Sequence, residues 1–422
     1  MSFPRYPQYK DSGVDWLGQV PAHWEVVQLK QFVDIQNGAD HKHVEQDDGY
    51  PVIGSGGAFT YASDFLYDGE SVLLGRKGTI DKPLHVTGRF WTVDTMYWTK
   101  IRPNASGRYA YYTALTIPFG YYSTNTALPS MTKGALNAHF VARPPLPEQR
   151  EIAGFLDRET AQIDALVAEQ ERLLELLKEK RQAVISHAVT RGLNPNAPLK
   201  PSGLAWLGDV PAHWTVASVR RLVRRIEQGW SPECYGRPAE ADEWGVVKTG
   251  CVNRGTYVEG ENKALPETLD PLPEYEIHVG DVLMSRASGS PELVGSTALI
   301  RATRPKLMLS DKIFRIYTED HVESAYFVWL FNSAELRSQI EQSISGADGL
   351  ANNLPQSALK GFYCTLPPLT EQRAIVAHLD AATAQFDALT AEVERALALL
   401  QERRTALISA AVTGQIDVRD AT

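Results

Sequence analysis

A stretch of 47 residues occurs twice in this chain, and no other feature constrains the fold as much. Residues 144–190 read PPLPEQREIAGFLDRETAQIDALVAEQERLLELLKEKRQAVISHAVT, and residues 367–413 read PPLTEQRAIVAHLDAATAQFDALTAEVERALALLQERRTALISAAVT. The copies align without a gap, and roughly three in five paired positions are identical, far beyond chance for an internal repeat. Both predict helices. A double proline precedes a Glu-Gln pair suited to a first turn, and beyond that pair Gly154 is the only glycine or proline in either copy. Apolar residues recur at three- and four-residue steps, as in Ile152, Leu156, Ile163 and their counterparts Ile375, Leu379, Phe386. Each helix should run about 40 residues, or about 60 Å. A helix that long with one apolar stripe needs a partner, and its own duplicate, packed antiparallel, is the nearest. Gly154 and Gln170 interrupt the first stripe, so a bend or looser packing is expected there.

A second repeat precedes the first. SGVDWLGQVPAHW at residues 12–24 returns as SGLAWLGDVPAHW at residues 202–214, so the order of opening motif, globular segment and long helix occurs twice. The boundaries expected are 1–147 for a first module, 148–192 for a central helix, 193–203 for a Pro/Asn/Gly-rich linker, 204–370 for a second module and 371–417 for a C-terminal helix. One histidine per copy, His23 and His213, beside Pro and Trp suits packing and a turn rather than a metal. Trp16, Trp24, Trp206 and Trp214 are expected to anchor the modules.

The globular segments carry strand-like runs broken by glycine: YPVIG, SVLLGRKGTI and FWTVDTMYWTKI in the first, WGVVKTGCV, GDVLMSRASG and DKIFRIYT in the second. The second adds one helical stretch over residues 324–341. GESVLLGR (69–76) matches GDVLMSR (280–286), and LPSMTKGAL (128–136) matches LPQSAL (354–359); elsewhere the segments share little. The fold class is therefore α+β: two mixed modules separated by an intramolecular antiparallel coiled coil, as a tandem duplication. Near-identical ends around divergent middles suggest two readers of different things on one symmetric frame.

Motifs for chemistry are missing. There is no GxxxxGK[ST] and no strand-GxGxxG-helix unit; the glycines of residues 54–57 read as a turn. Asp311-Lys312 lacks the upstream acid and the spacing of a nuclease site, DPLPEY (270–275) only superficially resembles an amino-methyltransferase run, and no Ser/His/Asp or Cys/His set stands out. Neither a catalytic residue nor a cofactor or metal is expected. Three cysteines are too few for a disulfide frame, and with no apolar leader visible a reducing cytoplasm is the expected location.

Recognition remains. Arg76, Lys77 and Thr79 follow one strand-like run, and Arg286 and Ser288 follow its match. A guanidinium beside glycines can approach a base edge or a phosphate closely. Loops holding Asn125, Thr126 and Lys133, and Asn352, Asn353 and Gln356, offer amide and hydroxyl groups suited to adenine or phosphate. Arg224 and Trp230 belong to a basic cluster, and Lys248 lies within the first strand-like run of the second segment, with Asn253 and Arg254 just after it. A net charge of −9 argues against a free-standing nucleic-acid binder. A coiled-coil adaptor with two protein- or carbohydrate-binding modules satisfies the same pattern.

The paired PPLPEQREIAGFLD and PPLTEQRAIVAHLD helix starts and the WLGQVPAHW and WLGDVPAHW motifs resemble the specificity subunit of type I restriction–modification systems over essentially the whole chain. The resemblance implies two target-recognition domains, each reading one half of an asymmetric split DNA sequence. It implies helices that set the distance between them and dock two methyltransferase subunits, here through Glu148, Gln149, Arg150, Glu371, Gln372 and Arg373. The methyltransferases would carry S-adenosylmethionine, a separate ATP-driven subunit would translocate and cleave, and this subunit would have no catalytic residue. An assembly of that kind draws phosphate affinity from its other subunits, which makes the acidic balance tolerable and implies weak DNA binding by the chain alone. A coil of about 60 Å spans about 18 base pairs, enough to place two half-sites about one helical turn apart.

Overall fold

A computed structural model describes residues 3–123, 129–344 and 352–419. The chain divides into two compact units, residues 1–172 with 394–422, and residues 173–393. Each holds one globular module, a segment of the central helix (Leu146–Arg191) and a segment of the C-terminal helix (Leu369–Val412). The central helix runs unbroken through Gly154 and Gln170.

In the first unit the two helices pack antiparallel: Ile152, Leu156 and Ile163 share a buried cluster with Leu407, Ile408 and Ala411. Arg404 binds Asp164 there through Nε at 2.8 Å and Nη2 at 3.3 Å. In the second, Ile185, Ala188 and Val189 share a core with Ile375 and Leu379, and Arg181 faces Asp387 at 3.6 Å. The Asp of each IDAL/FDAL stretch thus meets the Arg of the other helix's KR/RR pair. The helices end at Gly192 and Gly414, whose φ values of 76° and 72° only glycine adopts readily.

The modules share one topology despite their divergent sequences. A four-stranded antiparallel sheet in the first is ordered Leu84–Val86, Ser71–Gly75, Met96–Ile101, Val33–Asn37. Its counterpart in the second is ordered Thr297–Leu299, Val282–Ser285, Ile313–Thr318, Val223–Gln228. Beside it lies a second sheet, of five strands in the first module and three in the second, with one parallel pair, Tyr50–Gly54 with Arg89–Thr92 in the first module and Gly245–Val247 with Leu307–Met308 in the second.

Some expectations change. The run FWTVDTMYWTKI is two strands in different sheets, separated by the turn at residues 93–95. TGCV lies in a 3-10 turn, Thr249–Gly255, rather than a strand. The helical stretch at 324–341 is two helices, Ser324–Phe331 and Ala334–Ser343. The Asn332 amide turns inward at the break, donating to Thr297 O at 2.7 Å and Val328 O at 2.9 Å, and Ser333 caps the second helix. Trp24 and Trp214 are fully buried, but Trp16 and Trp206 are 40% and 47% exposed and are not core anchors. Trp16 instead lies flat on His139, with centroids 4.6 Å apart.

Candidate nucleic-acid interface

The two sequence repeats meet in space. Glu148, at the start of the central helix, accepts from the Trp24 indole at 3.1 Å and contacts His23 Nε2 at 2.8 Å. Glu371 holds Trp214 at 2.9 Å and His213 at 2.8 Å in the same way. The neighbouring glutamine does the next task. Gln149 accepts from Ser106 N at 2.8 Å and donates to Asn104 O and Pro144 O, thereby seating the helix Gly107–Ala114. Gln372 accepts from Glu323 N at 2.8 Å and donates to His321 O and Pro367 O ahead of Ser324–Phe331. Those two short helices return the contact. Tyr112 OH donates to Asp157 at 2.7 Å and the Trp329 indole to Asp380 at 3.2 Å, with Arg108 and Arg301 on the same carboxylates. The hydroxyls of Tyr109 and Tyr326 donate to the last carbonyls of the opposite long helix, Val412 O and Val189 O. Burial pushes both phenols far above their ordinary range, so they stay protonated donors.

Of the residues considered for docking, Glu148, Gln149 and Gln372 are therefore buried and engaged within their own units. Glu371 is partly exposed, and Arg150 and Arg373 are exposed, Arg373 against Glu323 at 3.1 Å.

The frame fixes two loops in each module against one another. In the first, Arg76 N donates to Thr95 O at 2.9 Å and its Nη1 to Asp94 O at 3.2 Å, while Met131 N donates to Arg76 O at 2.9 Å. Lys77 bridges to Ser130, and Gly78 N donates to Pro129 O at 2.9 Å. In the second, Arg286 N donates to Lys312 O at 2.9 Å, its Nη1 to Asp311 O at 3.2 Å, and Leu354 N to Arg286 O at 2.9 Å. Ala287 and Ser288 pair with Asn353 and Asn352. Arg76 and Arg286 are equivalent, each lying half-buried between the same turn and the same loop. The second landmark shifts: Met131, not Leu128, is the counterpart of Leu354, and the helices Lys133–Ala138 and Gln356–Gly361 follow each.

The first module brings together Arg76, Lys77, Thr79 and Lys133, with Lys77 and Thr79 exposed. Asn125 and Thr126 lie outside the described residues. The second gathers Arg286, Ser288, Asn352, Asn353 and Gln356, whose amide reaches Ile226 O at 3.4 Å and so borders the strand carrying Arg224. Arg224 is exposed and faces Asp320 at 3.6 Å. Trp230 packs half-buried over Val246, Leu265 and Met308. Lys248 and Asn253 belong elsewhere: Lys248 pairs with Glu261 at 3.0 Å, and Asn253 sits in the turn Thr249–Gly255. Arg254 follows in that turn, its side chain outside the described residues.

Sequence reasoning missed the glycines that make the site possible. Gly38 and Gly229 follow the strands Val33–Asn37 and Val223–Gln228, where a Cβ would collide with the carbonyl oxygens of Val93 and Leu309. These close approaches place the turns that hold the two arginines. The strings QNG (36–38) and EQG (227–229) are the faint signal. In the second module a buried guanidinium adds rigidity. Burial alone would lower the Arg315 pKa, but Asp281 and Glu227 hold it above its ordinary value. Its Nε lies 2.8 Å from Glu227, which also accepts from Tyr317 OH at 3.0 Å.

Fold and site together describe a duplicated protein: two modules of one topology, each latched to paired helices and each presenting a pinned arginine among dissimilar neighbours. The profile of the family described as Type I restriction modification DNA specificity domain matches residues 21–176. The specificity subunit of the type I restriction enzyme EcoEI from Escherichia coli is 33% identical over 209 residues, covering 49% of this chain and 35% of that protein. That of EcoBI, also from Escherichia coli, is 22% identical over 435 residues, covering 96% of this chain and 89% of that one. The chain spans between about a third and somewhat over half of the length of the first curated relatives it matches. A chain from a structure addressing complex assembly and conformational transition of the type I restriction–modification system shares the fold, with a TM-score of 0.68 at 15% identity over 93% of this chain and 98% of that one. Residues 21–176 match that specificity-domain family, and over most of its length the chain is similar to specificity subunits of type I restriction–modification systems. Among its described residues no helix is long and apolar enough to cross a membrane.

Proposed function

We propose that this chain is the DNA sequence-recognition subunit of a type I restriction–modification methyltransferase and endonuclease complex. Each module reads one half of a bipartite, asymmetric double-stranded target in the cytoplasm. The long helices set the spacing and dock two methyltransferase subunits, with Arg150 and Arg373 as exposed contacts, and an ATP-dependent restriction subunit completes the assembly. Methyl transfer and cleavage belong to those partners, and this chain supplies no catalytic group.

The observation that carries this reading is the equivalence of Arg76 and Arg286. Each leaves an inner strand, donates to the carbonyl of an aspartate in the next turn and pairs with the loop before a short helix. Around that constant point stand different side chains, Lys77, Thr79 and Lys133 against Ser288, Asn352, Asn353 and Gln356, as two half-sites of unlike sequence require. The test is methylome sequencing of a host expressing the chain with its methyltransferase. A bipartite motif with a gap of about 5–8 bases is expected. Inserting four residues into one long helix should change the gap and leave both half-sites intact. A continuous motif, or half-site bases altered by the insertion, refutes the reading.

A further inference from the structure

The first module carries an aromatic side chain that its own fold leaves uncovered at the edge of the candidate interface. Phe59 is 59% exposed, on the strand Gly57–Ala62. It sits at a bulge: Thr60 pairs with Val52 and Ala58 with Ile53, so Phe59 has no partner across the ladder. A bulge re-aims the extra side chain away from the regular pleat. The ring passes over Gly54, where an added Cβ would lie 3.4 Å from its Cε1, and is braced by the edge of His41 with centroids 5.3 Å apart. Tyr61, two residues on, is 46% exposed.

Location gives the exposure its meaning. The hairpin end beside Phe59 is tied to the turn that holds Arg76: Val93 N donates to Ile53 O at 3.3 Å, and the next two residues supply the carbonyls that bind Arg76. Around this end lie His41, Lys42 and His43, the last against Trp91. The acids of the hairpin, Glu45, Asp47 and Asp48, fall toward its other end, where Glu45 pairs with Ala62; at the Phe59 end Asp40 accompanies His41 at 3.9 Å, and Asp94 follows Val93 in the adjoining turn. An uncovered aromatic ring, rigidly held beside a pinned guanidinium and away from the acidic end of its hairpin, matches the geometry of an apolar wedge that enters a base step.

We infer that Phe59 inserts at a base step of the half-site read by the first module, so that this half-site is selected by how readily it unstacks as well as by its base edges. The inference rests on the proposed DNA-reading function. Phe59 is a specificity-determining contact, and His41 is a positioning residue that braces its ring.

The experiment uses the full chain co-purified with methyltransferase subunits and a duplex carrying the bipartite site read from the methylome. Affinity is measured by anisotropy across a salt series, and bending by energy transfer between the duplex ends. Phe59→Ala should weaken binding about 10- to 100-fold and reduce the bend, with the slope of affinity against salt unchanged, because no phosphate contact is lost. Phe59→Leu, which keeps an apolar wedge, should retain most of both. Unchanged affinity in Phe59→Ala, a parental complex that leaves the duplex straight, or loss of the methyltransferase subunits in place of DNA each overturns the inference. If the parent complex selects no bipartite site at all, the functional reading itself has failed.

Discussion

Replacing Glu148 by alanine tests whether the paired Pro-Leu-x-Glu-Gln helix starts act first as latches. Glu148 is 6% exposed and is the acceptor for the buried Trp24 indole at 3.1 Å. Removing it leaves that N–H in the core without a partner, at a cost of about 1–3 kcal/mol for the unsatisfied group. Truncating the side chain against Trp24 and Tyr6 adds about 1 kcal/mol of lost packing. The His23 contact adds little, because that imidazole is 43% exposed and water replaces the carboxylate. About 3 kcal/mol in total is expected, equal to roughly a hundredfold faster amide exchange where opening is local. Exchange should therefore accelerate in the peptides covering residues 19–28 and 144–152, read by mass spectrometry on the full chain. Glu371→Ala should cost only about 1–2 kcal/mol, because its side chain is 25% exposed and water can reach the Trp214 indole. Glu148→Gln keeps an acceptor oxygen for Trp24 and should recover at least half of the loss. A Glu148→Ala chain whose exchange matches the parent, yet which no longer binds methyltransferase, would refute the latch and return Glu148 to a docking role.

Two further outcomes follow from the same geometry. Gly38→Ala and Gly229→Ala should each cost about 2–4 kcal/mol, because a Cβ meets a backbone carbonyl, whereas Gly154→Ala, with only Arg158 Nη1 at 3.9 Å, should stabilise by about 0.5–1 kcal/mol; thermal unfolding ranks them. Burial lowers the His139 pKa to about 4 from 6.5, so the unfolded chain binds the proton first, and stability present above pH 6.5 is lost as pH falls toward 4. The loss reaches at most about 3 kcal/mol and should vanish in His139→Leu, as read from urea unfolding at pH 7 and pH 4.5.

The repeats made the helices, their antiparallel pairing and the two-module order legible in the sequence, because a duplicated apolar stripe has few other solutions. Nothing in one dimension linked the His-Trp of the opening motif to a glutamate more than a hundred residues away. The pair Glu148–Gln149 therefore looked like a surface for another protein, when in space it closes on Trp24 and Ser106. The run FWTVDTMYWTKI misled for a related reason. Its alternation continues across Val93–Thr95, but Thr92 and Met96 belong to different sheets, and the turn between them is the support of Arg76. Gly107–Ala114 was not visible as a helix because Tyr-rich GRYAYYTA has low helix propensity. Its helicity comes from the Ser106 cap and from burial of Tyr109 and Tyr112.

The common topology of two modules with little shared sequence has a physical explanation at one ladder position. Trp98 pairs with Gln36 in the first module, and Arg315 pairs with Glu227 at the corresponding place in the second. Both central residues are buried, at 8% and 4% exposure, but they are satisfied by different means. The Trp98 indole donates to Asn37 O at 3.0 Å and stacks on Tyr67, whereas Arg315 needs Glu227, Asp281 and the carbonyls of Glu274 and Glu276. Replacing either one alone would strand a charge or open a cavity, so such positions change only together with their neighbours. Residue identity in the middles can thus diverge as linked sets while the backbone stays fixed. The latch residues Glu148 and Glu371, each on a long helix and bonded to the repeated His-Trp pair, have no such freedom. What varies between the modules is therefore concentrated in the sheets and the loops that the sheets present, where different DNA half-sites would be told apart.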